Sequence, residues 1–444
     1  MRSLVARSDI GLIVFLSLAL LLGGASAAGH LANLALQWIS IGVIAWCLIV
    51  PAPPEHKRMG RIAWLFVLAI ALILAIQLVP LPPSLWSGLP GRSVIVEGFR
   101  LAGMDLPWVP LSMAPARTIA SALALLPALA ALLLALRLRD PARSLPAVIL
   151  VFALVSIVVG VAQVAGGYGS PLYLYDITNR SLAVGFFANR NHLATLALVA
   201  LPCIALLARG EGRGNRRRRS GIGAKLAYAA AAVFILFGLV MSRSDAGLLL
   251  ALPSFLVGFM IYKNLRISPL VLSGSIALVV AALGGAVALV GQSQSLLSGS
   301  SNDFSARSTI YPSTAGLIPD YFPVGSGVGS FLGVYRLQED PTKITNIYVN
   351  HAHSEYLEIA LETGLIGILL LAAFLIWWAW KAFGIWNSSS ATAKAATAVT
   401  GIILIHSAFD YPLRTAAILT IFAAFAAIMA AAAPEREEAA SAAP

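Results

Sequence analysis

The sequence predicts an all-α, polytopic membrane protein of about 12 transmembrane helices with one large periplasmic loop. Three observations predict it: 59% of the residues are apolar and only 11% charged, apolar runs of helix-spanning length recur along the chain, and lysines and arginines gather in alternate gaps between the runs. A soluble domain carries about 25% charged residues, enough to coat its surface. A chain of 444 residues with 11% cannot do so, and its outer surface must face lipid. Lipid offers no partners to open backbone groups, so spans are helices or closed barrels. Barrel strands are short and alternating, whereas these runs are long and continuous.

A hydrocarbon core about 30 Å thick needs ~20 helical residues. Candidate spans lie at 10–28, 31–50, 62–80, 117–136, 146–165, 185–208, 225–241, 246–262, 269–291, 357–380, 394–411 and 415–433. The organisation expected is spans one to nine over 1–291, a large periplasmic loop over 292–356, spans ten to twelve over 357–433, and a cytoplasmic tail over 434–444. The basic start before Asp9 and the stretch Ala25-Ser26-Ala27-Ala28 look like a secretory signal. A second apolar span begins at Leu31, so an uncleaved first helix is expected.

Orientation follows from the loop cations. With the N-terminus inside, the cytoplasmic segments hold Arg2 and Arg7; Lys57, Arg58 and Arg61; Arg137, Arg139 and Arg143; Arg209, Arg213, Arg216 to Arg219 and Lys225; Lys263 and Arg266; Lys381, Lys394 and Arg436. These are 20 of the 30 basic residues, and both termini come out cytoplasmic. The net charge of +11 and pI near 9.9 therefore reflect topology and contact with membrane lipid, not nucleic acid. Cys47 and Cys203 sit in separate apolar runs without metal-ligand spacing and read as small core residues.

Two outer loops stand out. Residues 81–116 are rich in Pro, Gly and Trp, and Pro80 to Trp86 read as an interfacial segment. Residues 292–356 form the longest polar stretch, a length that usually carries function.

The outer face collects polar groups at helix mouths. Asn350-His351-Ala352-His353-Ser354-Glu355-Tyr356-Leu357-Glu358 runs into span ten, and Glu355, Glu358 and Glu362 share one helical face. Carboxylates suit the positive end of a helix, but Glu362 lies inside an apolar run, where ionisable groups are costly and usually functional. His351 and His353 suit proton transfer near neutral pH; a His-X-His-X-Glu metal site is the alternative, and no third-ligand pattern accompanies it. Arg180, Arg190, Arg243, Arg307, Arg336 and Arg414 lie on the face that the positive-inside rule disfavours. Pairing with Asp245, Asp410 or lipid phosphate is one account; a cationic cup for a phosphate-bearing ligand is the sharper one.

These residues resemble the O-antigen ligase and polymerase superfamily of bacterial membrane glycosyltransferases. The ligase signature of His, then Asn/Ser/Gln, nine residues, Gly, two residues and Gly/Thr/Tyr is matched by His353-Ser354, Gly364 and Gly367. Phe187-Ala188-Asn189-Arg190-Asn191-His192, Ser242-Arg243-Ser244, Gly325 to Phe331 and His406-Ser407-Ala408-Phe409-Asp410 are also similar to family blocks, so the resemblance covers about residues 180–415. The ligase pattern of Arg, three residues and Leu is not met, because Gly247 stands fourth after Arg243 and leucine follows at Leu248. Ligase and polymerase therefore both stay open.

The resemblance implies a GT-C-like fold and a metal-independent, cofactor-free, inverting transfer on the periplasmic face. The donor would be a glycan on undecaprenyl pyrophosphate. The acceptor would be a hydroxyl of lipid A–core or of a growing polysaccharide. The roles expected are His353 as base, Glu355 or Glu358 as its orienting carboxylate, and Arg243, Arg307 and Arg190 as pyrophosphate ligands. Asn189, Asn191, His351, Asp410 and Arg414 are further candidates, and no metal ligand is expected. A lipid-linked glycan transporter is a competing reading, opposed by polar groups gathered at one face and by the lack of an internal repeat. A non-catalytic assembly partner docking through 292–356 is the third; it predicts that changes at His353 act like changes at nearby serines.

Overall fold

The computed structural model describes residues 2–26, 30–52, 58–210, 221–266, 302–339, 349–388 and 390–432. Among these, seven helices are long and apolar enough to cross a membrane. They are Leu31–Ile49, Pro115–Leu136, Ser144–Ala165, Arg190–Arg209, Ile222–Ser242, Asp245–Lys263 and Glu355–Trp386. Shorter apolar helices stand at Asp9–Leu22, Arg61–Gln77, Ala391–His406 and Ala416–Ala431. Each expected span thus has an apolar helix, except 269–291, which lies outside the described residues along with parts of the loop 292–356.

In chain order the helices are α1 (Arg2–Leu22), α2 (Leu31–Ile49), α3 (Arg61–Gln77), α4 (Pro83–Trp86), α5 (Ser93–Leu101), α6 (Pro115–Ala124), α7 (Leu126–Leu136) and α8 (Ser144–Ala165). There follow α9 (Arg190–Arg209), α10 (Ile222–Ser242), α11 (Asp245–Lys263), α12 (Asn302–Tyr321), α13 (Phe331–Gln338), α14 (Glu355–Trp386), α15 (Ala391–His406) and α16 (Ala416–Ala431). A two-residue antiparallel pair, β1 (Pro80–Leu81) with β2 (Val109–Pro110), closes the base of the 81–116 loop. The sixth span starts later than the expected residue 185, because Asn189 caps α9: its side chain accepts the Asn191 N–H.

The chain divides into two units, 1–63 with 124–266 and 380–444, and 64–123 with 267–379. In the first, α9 is the central helix and is buried continuously from Arg190 to Leu206. It packs against α8, α10, α11 and α15, while α16 packs on α7 and α1. A helix enclosed on all sides can be apolar all round. By contrast α2 and α10 leave large apolar side chains such as Leu48, Ile49 and Val233 exposed, as lipid-facing helices do.

Several cations expected to set topology also complete helix ends in this unit. Arg137 donates to the carbonyls of Cys47 and Val50 at the C-terminus of α2, and its guanidinium lies over the Trp46 ring. Lys394, fully buried, donates to Asn264 Oδ1 at 3.0 Å and Leu265 O at 2.9 Å, just past α11. Arg209 donates to Tyr262 O, and Lys381 to Ala432 O. The last carbonyls of a helix lack intrahelical partners and carry partial negative charge, so a cation there satisfies both needs.

The second unit has its own apolar core. Ile310, Leu317 and Tyr321 of α12 pack with Phe331, Val334 and Tyr335 of α13, and with Ala352 and Leu361. The described part of the 292–356 segment is therefore a folded helical layer. Arg92, 3% exposed, ties the 81–116 loop into this unit by donating to Leu111 O at 2.7 Å and Gly325 O at 3.5 Å. Burial lowers the pKa of that guanidinium, with the Tyr321 phenol opposing the shift. Val94, Leu101, Met104 and Trp108 remain exposed around this loop, whereas Trp86 is buried and donates through Nε1 to Pro107 O at 2.9 Å.

Candidate functional site

The residues singled out above fall into two groups, one in each unit. The first lies at the α9 N-terminus and the α10–α11 and α15–α16 turns. Asn189 holds the start of α9 and donates through Nδ2 to the Tyr411 hydroxyl at 3.2 Å. Arg190 and Asn191 are buried, and the Arg190 N–H donates to Asn179 Oδ1. His192 meets Tyr411 edge-on at 5.1 Å between ring centroids. Thr195 Oγ1 lies 2.9 Å from His406 Nδ1, and Asp410 Oδ1 accepts the Tyr411 N–H. Arg414 ends a 3₁₀ turn, Pro412–Arg414, and is half-buried. Asn189, half-buried, and the buried Asn191 and Asp410 thus belong to a polar layer that ties α9 to the α15–α16 turn.

Arg243 is built differently. It is the C-cap of α10 with φ +51°, and it is exposed, while Ser242 and Ser244 on either side are fully buried. Ser242 Oγ donates to Leu239 O, and Ser244 Oγ accepts the Gly247 N–H to cap α11. Both serines anchor the turn and leave the guanidinium facing out. A left-handed backbone costs a non-glycine residue roughly 1–2 kcal/mol. Such strain persists where the surroundings over-determine it, often at functional sites.

The second group lies on α12, on the loop before α14 and on the first turns of α14. Glu355, Glu358 and Glu362 are 4%, 1% and 1% exposed, so the shared face expected from their spacing is a buried face. Glu358 Oε1 accepts from His351 Nδ1 at 2.9 Å, and its Oε2 accepts the Ala352 N–H at 3.0 Å. The imidazole that Glu358 holds is thus that of His351. His353 has φ +53°, and its carbonyl accepts from the Tyr311 hydroxyl at 2.7 Å. Arg307 is buried on α12, one helical turn before Tyr311.

Glu362 has a structural role that its position in an apolar run did not reveal. Its Oε1 accepts the N–H groups of Gly329 at 2.8 Å and Phe331 at 3.2 Å, holding the glycine-rich turn at the start of α13. Gln77 completes the clamp, accepting the Val328 N–H at 2.8 Å and donating to Glu362 O at 3.1 Å. The turn meets α14 backbone to backbone: Ser326 N–H donates to Leu361 O, and Leu365 N–H to Pro323 O. Gly364 sits at the crossing with φ +59° and ψ −144°, and a Cβ there would lie 2.2 Å from Pro323 O. A Cβ on Gly325 would lie 2.6 Å from Glu362 O. The spacing from His353 to Gly364 therefore joins the histidine loop to the point where α14 kinks around the turn.

Sequence reasoning left Gln77 and Tyr311 unremarked. Gln77 had one legible signal, an amide at the end of an apolar span. Tyr311 had none. Among the described residues no three His, Cys, Asp or Glu side chains gather into a set that could hold a metal ion.

Residues 230–372 match the family described as O-Antigen ligase. That stretch includes Arg243, Arg307, His351, His353, Glu355, Glu358 and Glu362 and ends before Asp410 and Arg414. No curated protein matches the chain.

Proposed function

Because the chain carries an O-antigen ligase family region over residues 230–372, we propose that it is a membrane glycosyltransferase of the ligase type in surface polysaccharide assembly. It moves a glycan from undecaprenyl pyrophosphate to a sugar hydroxyl on the periplasmic face. The lipid A–core hydroxyl is the ligase acceptor, and a growing chain is the acceptor of the related polymerase reading. The observation that carries the proposal is a shared backbone feature. Among the described residues only four non-glycine positions have positive φ, and two of them are Arg243 and His353. Each is anchored: Arg243 by the buried serines on either side of it, and His353 by the Tyr311 hydroxyl on its carbonyl.

The reaction assigns a task to each residue type. The acceptor oxygen attacks the anomeric carbon as the bond from that carbon to the pyrophosphate oxygen breaks, so configuration inverts. The acceptor proton passes to the His353 imidazole, and undecaprenyl pyrophosphate leaves with the bonding pair. Negative charge grows on the leaving oxygens, and guanidinium groups of Arg243, Arg307 and Arg190 stabilise it without a metal ion or cofactor. Glu355 and Glu358 tune the histidine loop.

The His351–Glu358 pair favours a second assignment within the same reaction. An imidazole whose Nδ1–H is held by a buried carboxylate presents Nε2 as a base in a defined tautomer. Glycan transfer by the purified chain, given lipid-linked donor and acceptor, tests the whole reading. Formation of a new glycosidic bond supports it; movement of the lipid without bond formation makes the protein a transporter. Glycan length in a deletion strain separates ligase, which leaves unattached polymer on the lipid, from polymerase, which leaves single repeat units.

A further inference from the structure

The opposite end of α9, α10 and α11 carries a hollow that the proposed transfer does not use. α9 packs closely on both neighbours, whereas α10 and α11 touch each other little. At the Arg243 end a short turn joins α10 and α11, and Gly247 brings α11 hard against Ala194 of α9. Toward the other end they part over α9 and leave a cavity of about 290 Å³. Its floor is α9 from Leu201 to Ala208, and its walls are α10 from Lys225 to Ala232 and α11 from Phe255 to Tyr262. Eight residues on each helix, seven steps of about 1.5 Å, give a groove about 10 Å long, parallel to the helices. Small residues, among them Ala205, Ala229 and Gly258, create the space. It opens onto a surface where Leu226, Val233, Leu252 and Leu256 are exposed.

Charge marks one end of the groove. Lys225 is exposed and lines the mouth; Arg209, Lys263 and Arg266 lie at the same helix ends. The described residues at these ends, 205–210, 221–228 and 258–266, include no acidic side chain. The positive-inside rule predicts this end to be cytoplasmic. An apolar slot with a cationic lip, open sideways to lipid, complements an acyl chain joined to an anionic headgroup. Basic pockets between transmembrane helices at the cytoplasmic side bind such headgroups. A free phosphate would leave the apolar walls unfilled.

We infer that this groove seats one acyl chain of an anionic phospholipid from the leaflet at the basic end, with the Lys225 ammonium against the lipid phosphate. About 27 Å of helix separates Lys225 from Arg243, so the bound lipid is distinct from the glycan carrier.

Native mass spectrometry of the full chain in mild detergent tests this, with equimolar phosphatidylglycerol and phosphatidylcholine of identical acyl chains as probes. The wild type is expected to retain phosphatidylglycerol over phosphatidylcholine by on the order of fivefold. Lys225→Gln, at an exposed position, removes that preference and leaves the phosphatidylcholine adduct. Ala232→Phe, which fills the slot, removes both adducts; if that variant does not fold, Lys225→Gln alone decides. Equal retention of the two lipids by the wild type overturns the inference. So does a preference that survives Lys225→Gln, or a dimer that excludes both lipids.

Discussion

His351 Nδ1 lies 2.9 Å from Glu358 Oε1, and the other oxygen of the same carboxylate takes the Ala352 N–H. One buried carboxylate therefore fixes both the ring and the backbone of the loop that presents His353. Glu358→Gln retains the volume and loses the charge. It is expected to lower transfer about tenfold or more while the protein still inserts, and Glu358→Ala is expected to lower it further. The check is initial rate with purified protein, normalised to folded material.

His353→Ala removes the proposed base, and loss of such a group costs on the order of 10²–10⁴ in rate. His351→Ala is the informative partner. If His353 carries the proton, His351→Ala leaves a measurable rate and His353→Ala does not. The reverse ranking transfers the role to His351. Equal, full activity of both variants ends the assignment of this loop to chemistry.

Arg243→Ala removes an exposed cation from a turn whose anchors are its neighbouring serines. Abundance and thermal midpoint are therefore expected to stay near wild type while transfer falls by about 10²–10³, the size of a lost transition-state donor. Arg243→Lys keeps the charge and loses the planar fork, so partial recovery is expected. A loss of abundance as large as the loss of activity would instead make this a folding residue.

Gly364→Ala adds a Cβ at φ +59° and 2.2 Å from Pro323 O. The glycine-rich turn must then leave α14, and membrane abundance is expected to collapse. Glu362→Ala orphans the Gly329 and Phe331 N–H groups, and bonds to a charged acceptor contribute roughly 1.5–3 kcal/mol each. A clear drop in thermal midpoint is expected, with Glu362→Gln intermediate.

Lys394 is fully buried and completes the C-terminal end of α11. Lys394→Met keeps the stem and removes both bonds. Thermal stability is expected to fall by about 1.5–3 kcal/mol or more, with no separate effect on the rate of the remaining folded protein. An unchanged midpoint would show that the cation acts only in topology.

The amino-acid sequence alone determined where apolar helices lie, because a bilayer imposes one length and one backbone solution on every span. The common face of Glu355, Glu358 and Glu362 was legible too, since side-chain spacing on a helix is a local property of the chain, whereas the sixth span was expected from residue 185 and the Asn189 cap starts it at Arg190. Only the tertiary structure decided what those groups do. Gln77 meets Glu362 across 285 positions and Val328 across 251. Such pairing leaves no periodic trace, because a hydrogen bond needs only two groups brought within reach, and packing chooses which. For the same reason the partner of Glu358 proved to be His351, and the glycines at 325 and 364 revealed their purpose only where two backbones cross.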